Sequence, residues 1–447
     1  MSAPIPAFDA APDLERGTAL PALRTAIPGP AGQPLIDLLA AHECPAITAR
    51  RARRAEATGA EQDPIVWERA VGANVVDPDG NVFVDLTAGF GVASAGQSNP
   101  RVVQRVTEQL QTHVHGMGDA FPGRVRIELA AALARILPGD LEQVLFGSDG
   151  SDAVEAALKT AVVATGRARF LGFEGSYHGL SLGALTVSHY KEPFREPFRG
   201  ILGRTADWVP FGCDEETLRA ALAAEPTAAV IVEPIQGRGG DRTAPPEWFA
   251  MLRRCADEAG AVLIFDEIFT GFGRAGDLVQ AGTEHVAGVV PDLLCIGKGM
   301  TSGFPLSACV GTREVMGAWG QSAGEAIHTS TFLGHPIGCA AALAVLELLD
   351  EGLLDRAREL ADHMDATLAA LVARHDRLIG VRGRGAMRGL LVDGGISATL
   401  PLCRALLQRG FIVLPAGTEG EVISFTPALT LTRQQWDAAL DALEVEL

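Results

Sequence analysis

The chain has 447 residues, 47% hydrophobic and 21% charged, which is enough to bury ample core in two domains without metals or disulfides. Its 37 Lys and Arg against 55 Asp and Glu leave a net charge of −18, a surface that repels nucleic-acid phosphates and anionic lipids and argues against both as partners. Seven Cys, an odd number with no C-x-x-C pair, argue against a disulfide framework and fit a reducing cytoplasm.

Met1-Ser2-Ala3-Pro4 opens a stretch without a basic region or a continuous apolar core, so no signal peptide is expected. No apolar run of about 18 residues predicts a membrane span. Residues 1–34 are rich in Pro, Gly and Ala, and Pro28-Gly29-Pro30 cannot continue a helix. They predict an arm lying over another surface, or a frayed end. Arg50-Arg51-Ala52-Arg53-Arg54 reads as a solvated loop or helix end. Alternating runs over residues 71–86, broken by Asp77-Pro78-Asp79-Gly80, predict a hairpin. Asn99-Pro100 then opens a helix reaching about residue 114.

Between residues 140 and 310 short apolar runs alternate with helical stretches. The runs are 143–146, 169–173, 229–232, 262–265, 293–296 and 307–310. Near-continuous apolar strands of this kind predict an α/β fold with a largely parallel sheet covered on both faces. Such sheets bind ligands at the carboxyl ends of their strands. Asp149, Glu174, Glu233, Asp266 and Lys298 each follow a run. From about residue 340 a long helix, short strands and a final amphipathic helix over 433–447 predict a smaller α+β domain. The expected divisions are an arm over 1–45, the first part of the small domain over 46–95, a large domain over 96–335 and the rest of the small domain over 336–447.

Three elements carry chemistry. In Phe146-Gly147-Ser148-Asp149-Gly150-Ser151-Asp152 a strand gives way to a Gly/Ser turn, and Asp152 is expected to begin an Ala-rich helix. Free N–H groups and the helix dipole there attract a phosphate, although an ordinary Ser/Asp cap explains the same residues. In Val262-Leu263-Ile264-Phe265-Asp266 the carboxylate at a strand tip can hold a ring nitrogen protonated, or serve as a cap or metal ligand. In Ile296-Gly297-Lys298-Gly299 an amine follows a buried strand, where burial lowers its pKa and makes it a nucleophile toward aldehydes. Lys298 stands 32 residues after Asp266, and the three elements in this order make the bland explanations jointly poor. His113, His115 and His189 are too isolated for a metal site, and none is expected.

With Asp266 to Arg274, Gly297-Lys298-Gly299, Glu233-Pro234-Ile235-Gln236-Gly237, Tyr177-His178-Gly179 and residues 329–342, the sequence resembles the class III aminotransferases over essentially its whole length. The resemblance implies a fold type I enzyme that binds pyridoxal 5′-phosphate (PLP), with a mostly parallel seven-stranded sheet between helices. It implies that Lys298 forms the Schiff base to PLP and shuttles the proton, and that Asp266 pairs with the pyridine nitrogen. Tyr177 would stack on one ring face and Ile268 pack on the other, with Gly150 and Ser151 cradling the phosphate. Thr331 would reach the phosphate of a neighbouring subunit, so that a homodimer, or a tetramer, shares the site. His178 would support Tyr177 or contact the cofactor, unless it is a satisfied core residue, and Glu233 would order the pocket from its strand end.

The sequence departs from the family pattern in three places. Phe269 stands where many members carry a Gln that hydrogen-bonds the cofactor's phenolic oxygen. Arg238 follows Glu-Pro-x-Gln-Gly where members acting on ω-amino acids often have Glu. Ser424 replaces the Arg with which that Glu pairs. Arg238 is thus a candidate receptor for a substrate carboxylate, with Phe90 a further pocket candidate. The expected activity is ping-pong amino transfer from an amino acid or amine to a 2-oxo acid such as pyruvate or 2-oxoglutarate. Racemisation or epimerisation of amino acids on the same fold is the alternative, and a PLP-dependent lyase the third.

Overall fold

The apolar runs become the strands of one sheet because both of its faces are covered. In the unit Arg101–Glu351 the strands are β1 (Gln143–Gly147), β2 (Arg169–Phe173), β3 (Ala206–Val209), β4 (Thr227–Val232), β5 (Val262–Asp266), β6 (Leu293–Ile296) and β7 (Ser307–Gly311). Their order is β1-β7-β6-β5-β4-β2-β3. Only β7 is antiparallel, running between β6 and β1, and the other pairs are parallel. The structure, a computed structural model, describes residues 4–45, 52, 56, 65–321 and 326–447. Arg50, Arg51, Arg53 and Arg54 of the basic run lie outside the described residues.

Helices α1 (Arg124–Ile136), α2 (Gly150–Thr165), α3 (Glu215–Ala224), α4 (Pro246–Ala259) and α5 (Pro336–Leu348) belong to the same unit. α2 carries the small residues Ala153, Ala156, Ala157 and Ala161 into a core that includes Ile231, Ile264, Leu293 and Cys295. Short side chains let that helix lie close to the sheet, and each fully buried Ile or Leu opposite contributes about 1.5–3 kcal/mol. Gly166 ends α2 in the left-handed region at φ 67°, where its N–H donates to Val162 O.

Two expectations need correction here. α2 begins at Gly150, two residues before Asp152, because Asp149 is the cap: its Oδ1 accepts from Ser151 N at 2.7 Å and Asp152 N at 3.2 Å. The six runs also left out edge strand β3, whose short stretch carries the exposed Asp207 where an interior strand would be apolar. Asp207 Oδ2 accepts from Arg169 Nε at 2.7 Å, which ties the edge to β2.

The second unit joins Met1–Pro100 to Gly352–Leu447. Its hairpin pairs Asn74–Val76 with Val82–Asp85, and Asp77 Oδ1 closes the turn by accepting from Asp79 N and Asn81 N. The proline-rich arm docks there: Asp79 accepts from Ala31 N and Gly32 N, and Asn81 Oδ1 from Arg24 N and Thr25 N. A four-stranded antiparallel sheet is built from Leu378–Arg384, Met387–Val392, Val422–Phe425 and Leu414–Ala416. The long helix expected after residue 340 is interrupted: α5 ends at Leu348, Gly352 takes φ 120°, and a new helix runs Leu354–Val372. The last helix is Arg433–Glu444, with Thr432 and Gln435 forming its capping box.

Candidate active site

Side chains at the carboxyl ends of β1, β4, β5 and β6 converge on a cavity of about 240 Å³ in the unit Arg101–Glu351. It is lined by Asp149, Gly150, Ser151, Tyr177, His178, Gly179, Glu233, Arg238, Asp266, Ile268, Phe269 and Lys298. Nine candidates read from the sequence therefore meet at one place. Thr331 lies exposed and outside this lining. Phe90 and Ser424 belong to the other unit: Phe90 is 54% exposed at φ 66°, and Ser424 faces Gly389 and Leu414 across the small sheet.

Lys298 follows β6 through Gly297 and adopts φ 42°, a left-handed conformation that costs a non-glycine residue energy and needs firm surroundings. Its Nζ lies 3.7 Å from the centroid of the Phe269 ring. Burial pushes the amine from its ordinary 10.5 down to about 8, with Arg238 and Arg274 adding to the drop and Asp266 and Glu233 opposing it. The other two lysines of the chain are placed differently. Lys159 is exposed and within 3.2 Å of His328 Nδ1, and Lys191 lies over the Tyr190 ring.

Asp266, buried at the tip of β5, accepts from Ile268 N at 3.1 Å and lies 2.7 Å from His178 Nδ1 through its Oδ2. Burial alone would lower the His178 pKa, but the hydrogen bond and charge of Asp266, with Glu233, hold it above the ordinary value. His178 therefore supports Asp266, a pairing that a separation of 88 positions hides from sequence. Its other nitrogen, Nε2, is buried without a hydrogen-bond partner. Glu233, on the turn after β4, is pushed up to about 7 by burial. It accepts from Tyr177 N at 2.9 Å and Gly237 N at 3.3 Å, so it ties together the two loops that bear Tyr177 and Arg238.

Tyr190 is a residue the sequence reading missed, and its ring meets Tyr177 edge-on at 6.1 Å. The Arg238 guanidinium carbon lies 5.2 Å from the Tyr177 centroid and 5.1 Å from that of Tyr190. The available signal was composition, since the chain has only 2 Tyr. At the head of α2 a Cβ added to Gly150 would come 3.0 Å from Ile268 Cδ1 and Cγ2, so a side chain there would fit only if Ile268 gave way by a few tenths of an ångström.

A family model described as aminotransferase class-III matches residues 55–447. An acetylornithine aminotransferase from Methanosarcina acetivorans is 36% identical over 384 residues, covering 86% of this chain and 92% of its own. A [LysW]-aminoadipate semialdehyde transaminase from Deinococcus radiodurans is 37% identical over 382 residues, covering 85% of each. Among solved structures, an amine transaminase from an uncultivated Pseudomonas species, in its PLP-bound form, superposes with a TM-score of 0.78 at 30% identity, over 86% of this chain and 94% of that one. The chain belongs to the class III aminotransferases, and it is a PLP-dependent transaminase of fold type I.

The lining suits PLP. It offers a buried amine, a carboxylate held by a protonatable imidazole, an unpartnered buried nitrogen and a glycine-tight turn at a helix N-terminus. In the present arrangement Asp149 takes the Ser151 and Asp152 N–H groups, so a phosphate at this turn would share it with a carboxylate.

Proposed function

We propose that Lys298 bonds covalently to PLP, that Asp266 faces its pyridine nitrogen, and that Tyr177 and Ile268 cover its two faces. Gly150 and Ser151 hold its phosphate, and Thr331 of each subunit reaches the phosphate of the other in a homodimer. When bound, PLP supplies an aldehyde that takes up the amino group and a ring that withdraws electrons from the reacting carbon. His178, hydrogen-bonded to Asp266, keeps that carboxylate oriented. Glu233 holds the Tyr177 and Gly237 loops in register. Lys298, with an amine that is partly neutral near neutral pH, would take the proton from the substrate carbon and return it on the other side of the transferred nitrogen, at the cofactor's former aldehyde carbon.

The overall change is amino transfer from an amino acid or amine to a 2-oxo acid in two half reactions. The observation that carries the assignment is the convergence of Lys298, Asp266 and its partner His178 on one cavity. Dimerisation is supported by exposed apolar side chains on the large unit, with Met117 61% and Phe121 72% exposed on the loop before α1 and Phe332, next to Thr331, 56% exposed. Seven free cysteines support a cytoplasmic setting, and no described helix is long and apolar enough to cross a membrane.

The test is borohydride reduction of the holoenzyme followed by peptide mapping. With only Lys159, Lys191 and Lys298 in the chain, trapped cofactor is expected on Lys298 alone, and Lys298→Ala should abolish it. Trapping on Lys159 or Lys191 in the parent protein would overturn the assignment. Incubation with a donor panel should convert the cofactor to its pyridoxamine form. Loss of optical rotation without that conversion would show racemisation instead.

A further inference from the structure

Arg238 lies in the wall of the cavity with no anion opposite it. Its Nε is buried without a hydrogen-bond partner, and it forms no ion pair among the described residues. Aromatic faces hold it instead: the chain's only two tyrosines, Tyr177 and Tyr190, stand with their rings at 89° and both within 5.2 Å of its guanidinium carbon. A ring quadrupole attracts a cation without occupying its N–H donors, so the fork stays open to an incoming acceptor. The acids of the lining are otherwise engaged. Asp149 caps α2, Asp266 binds His178 and Ile268 N, and Glu233 binds Tyr177 N and Gly237 N. A planar cation fixed in orientation and left unneutralised is the geometry that receives a carboxylate on two parallel hydrogen bonds.

We infer that Arg238 receives the substrate carboxylate, which makes amino acids and 2-oxo acids, in preference to simple amines, the substrate class of this enzyme. The inference rests on the reading that the amino group is transferred at the cofactor that Lys298 holds. Tyr190 is then a positioning residue: it touches Arg238 and holds the guanidinium in the plane the carboxylate meets.

The holoenzyme and its Arg238→Ala, Arg238→Lys, Tyr190→Phe and Tyr190→Leu variants are compared in two ways. One is kinetics with alanine and pyruvate against 1-phenylethylamine. The other is calorimetric binding of propionate, a carboxylate that cannot react. Arg238→Ala should raise the propionate Kd and the KM for alanine and pyruvate about ten- to hundredfold, the range for a charge-assisted hydrogen bond. Its loss in kcat/KM on the acids should exceed its loss on the amine by at least about tenfold. Arg238→Lys should recover part of the propionate affinity as a point charge. Tyr190→Leu should raise KM for the acids with kcat held, and Tyr190→Phe, which keeps the ring, should not. Equal losses on acids and amine, or an unchanged propionate Kd, would overturn the inference. A parent enzyme that forms no pyridoxamine with any donor would overturn the transaminase reading instead, and propionate binding would still judge Arg238 separately.

Discussion

The depressed pKa of Lys298 can be measured in the cofactor-free protein. An amine moved from 10.5 to about 8 has lost its charged form's hydration without full repayment from Asp266 and Glu233. Only the neutral amine is a nucleophile. At pH 7 about 9% of such a group is neutral, against about 0.03% of an ordinary lysine, a gain of roughly 300-fold. The difference corresponds to about 3 kcal/mol in favour of the unfolded, protonated side chain at pH below 8, and it shrinks as pH rises toward 10.5. Trace acetylation of the cofactor-free protein across roughly pH 6–11, read by mass spectrometry, tests this with an added free lysine side-chain analogue as the standard. Lys298 should label with a midpoint well below that of the analogue. Two substitutions should move the midpoint in opposite directions. Asp266→Asn removes a group that raises the pKa and should lower it further, whereas Arg238→Met removes one that lowers it and should raise it. A Lys298 midpoint matching the free analogue, or both variants moving the same way, would refute the reasoning.

Two further predictions concern the cofactor seat. Asp266→Ala should slow exchange of the substrate α-proton by roughly 10²–10³, the usual effect of removing a preorganised charge partner, and should also lower the His178 pKa, since Asp266 is what raises it. Exchange within a few-fold of the parent, measured by NMR in deuterated solvent, would make Asp266 merely structural. Gly150→Ala places a methyl 3.0 Å from two carbons of Ile268, an overpacking that costs about 1–3 kcal/mol, and should weaken PLP retention in equilibrium dialysis. Ile268→Val in the same background should restore part of it, and an unchanged Kd in Gly150→Ala would show that the turn has slack.

The interior strands were legible because burial on both faces writes itself as an unbroken apolar run, as in Val262-Leu263-Ile264-Phe265. Edge strand β3 was not, because an edge meets solvent and can carry a charged residue such as Asp207 in mid-strand. The start of α2 was ambiguous for a different reason. Ser148, Asp149, Ser151 and Asp152 can all cap a helix, and only the backbone geometry shows that Asp149 accepts the free N–H groups. Lys298, Asp266 and Glu233 could be named from sequence because each follows a strand. The pairings of His178 with Asp266 and of Tyr190 with Arg238 could not, since His178 and Tyr190 arrive from loops 88 and 48 positions away in the chain (266 − 178 and 238 − 190).

The net charge of −18 also said little about the ligand, for a physical reason. Exposed charges are screened beyond roughly 8–10 Å in ordinary salt, so an acidic surface adds only a weak field inside a cavity. What acts there are groups a few ångströms apart. Lys298 over Phe269, Arg238 between two tyrosines and His178 on Asp266 are cations or potential cations held close, while the carboxylates beside them are already bonded or, for Glu233, pushed up to about 7. Burial that favours the neutral form of Glu233 leaves the cavity more positive than its residue count suggests. An anionic cofactor and an anionic substrate can therefore bind within a protein whose surface repels anions.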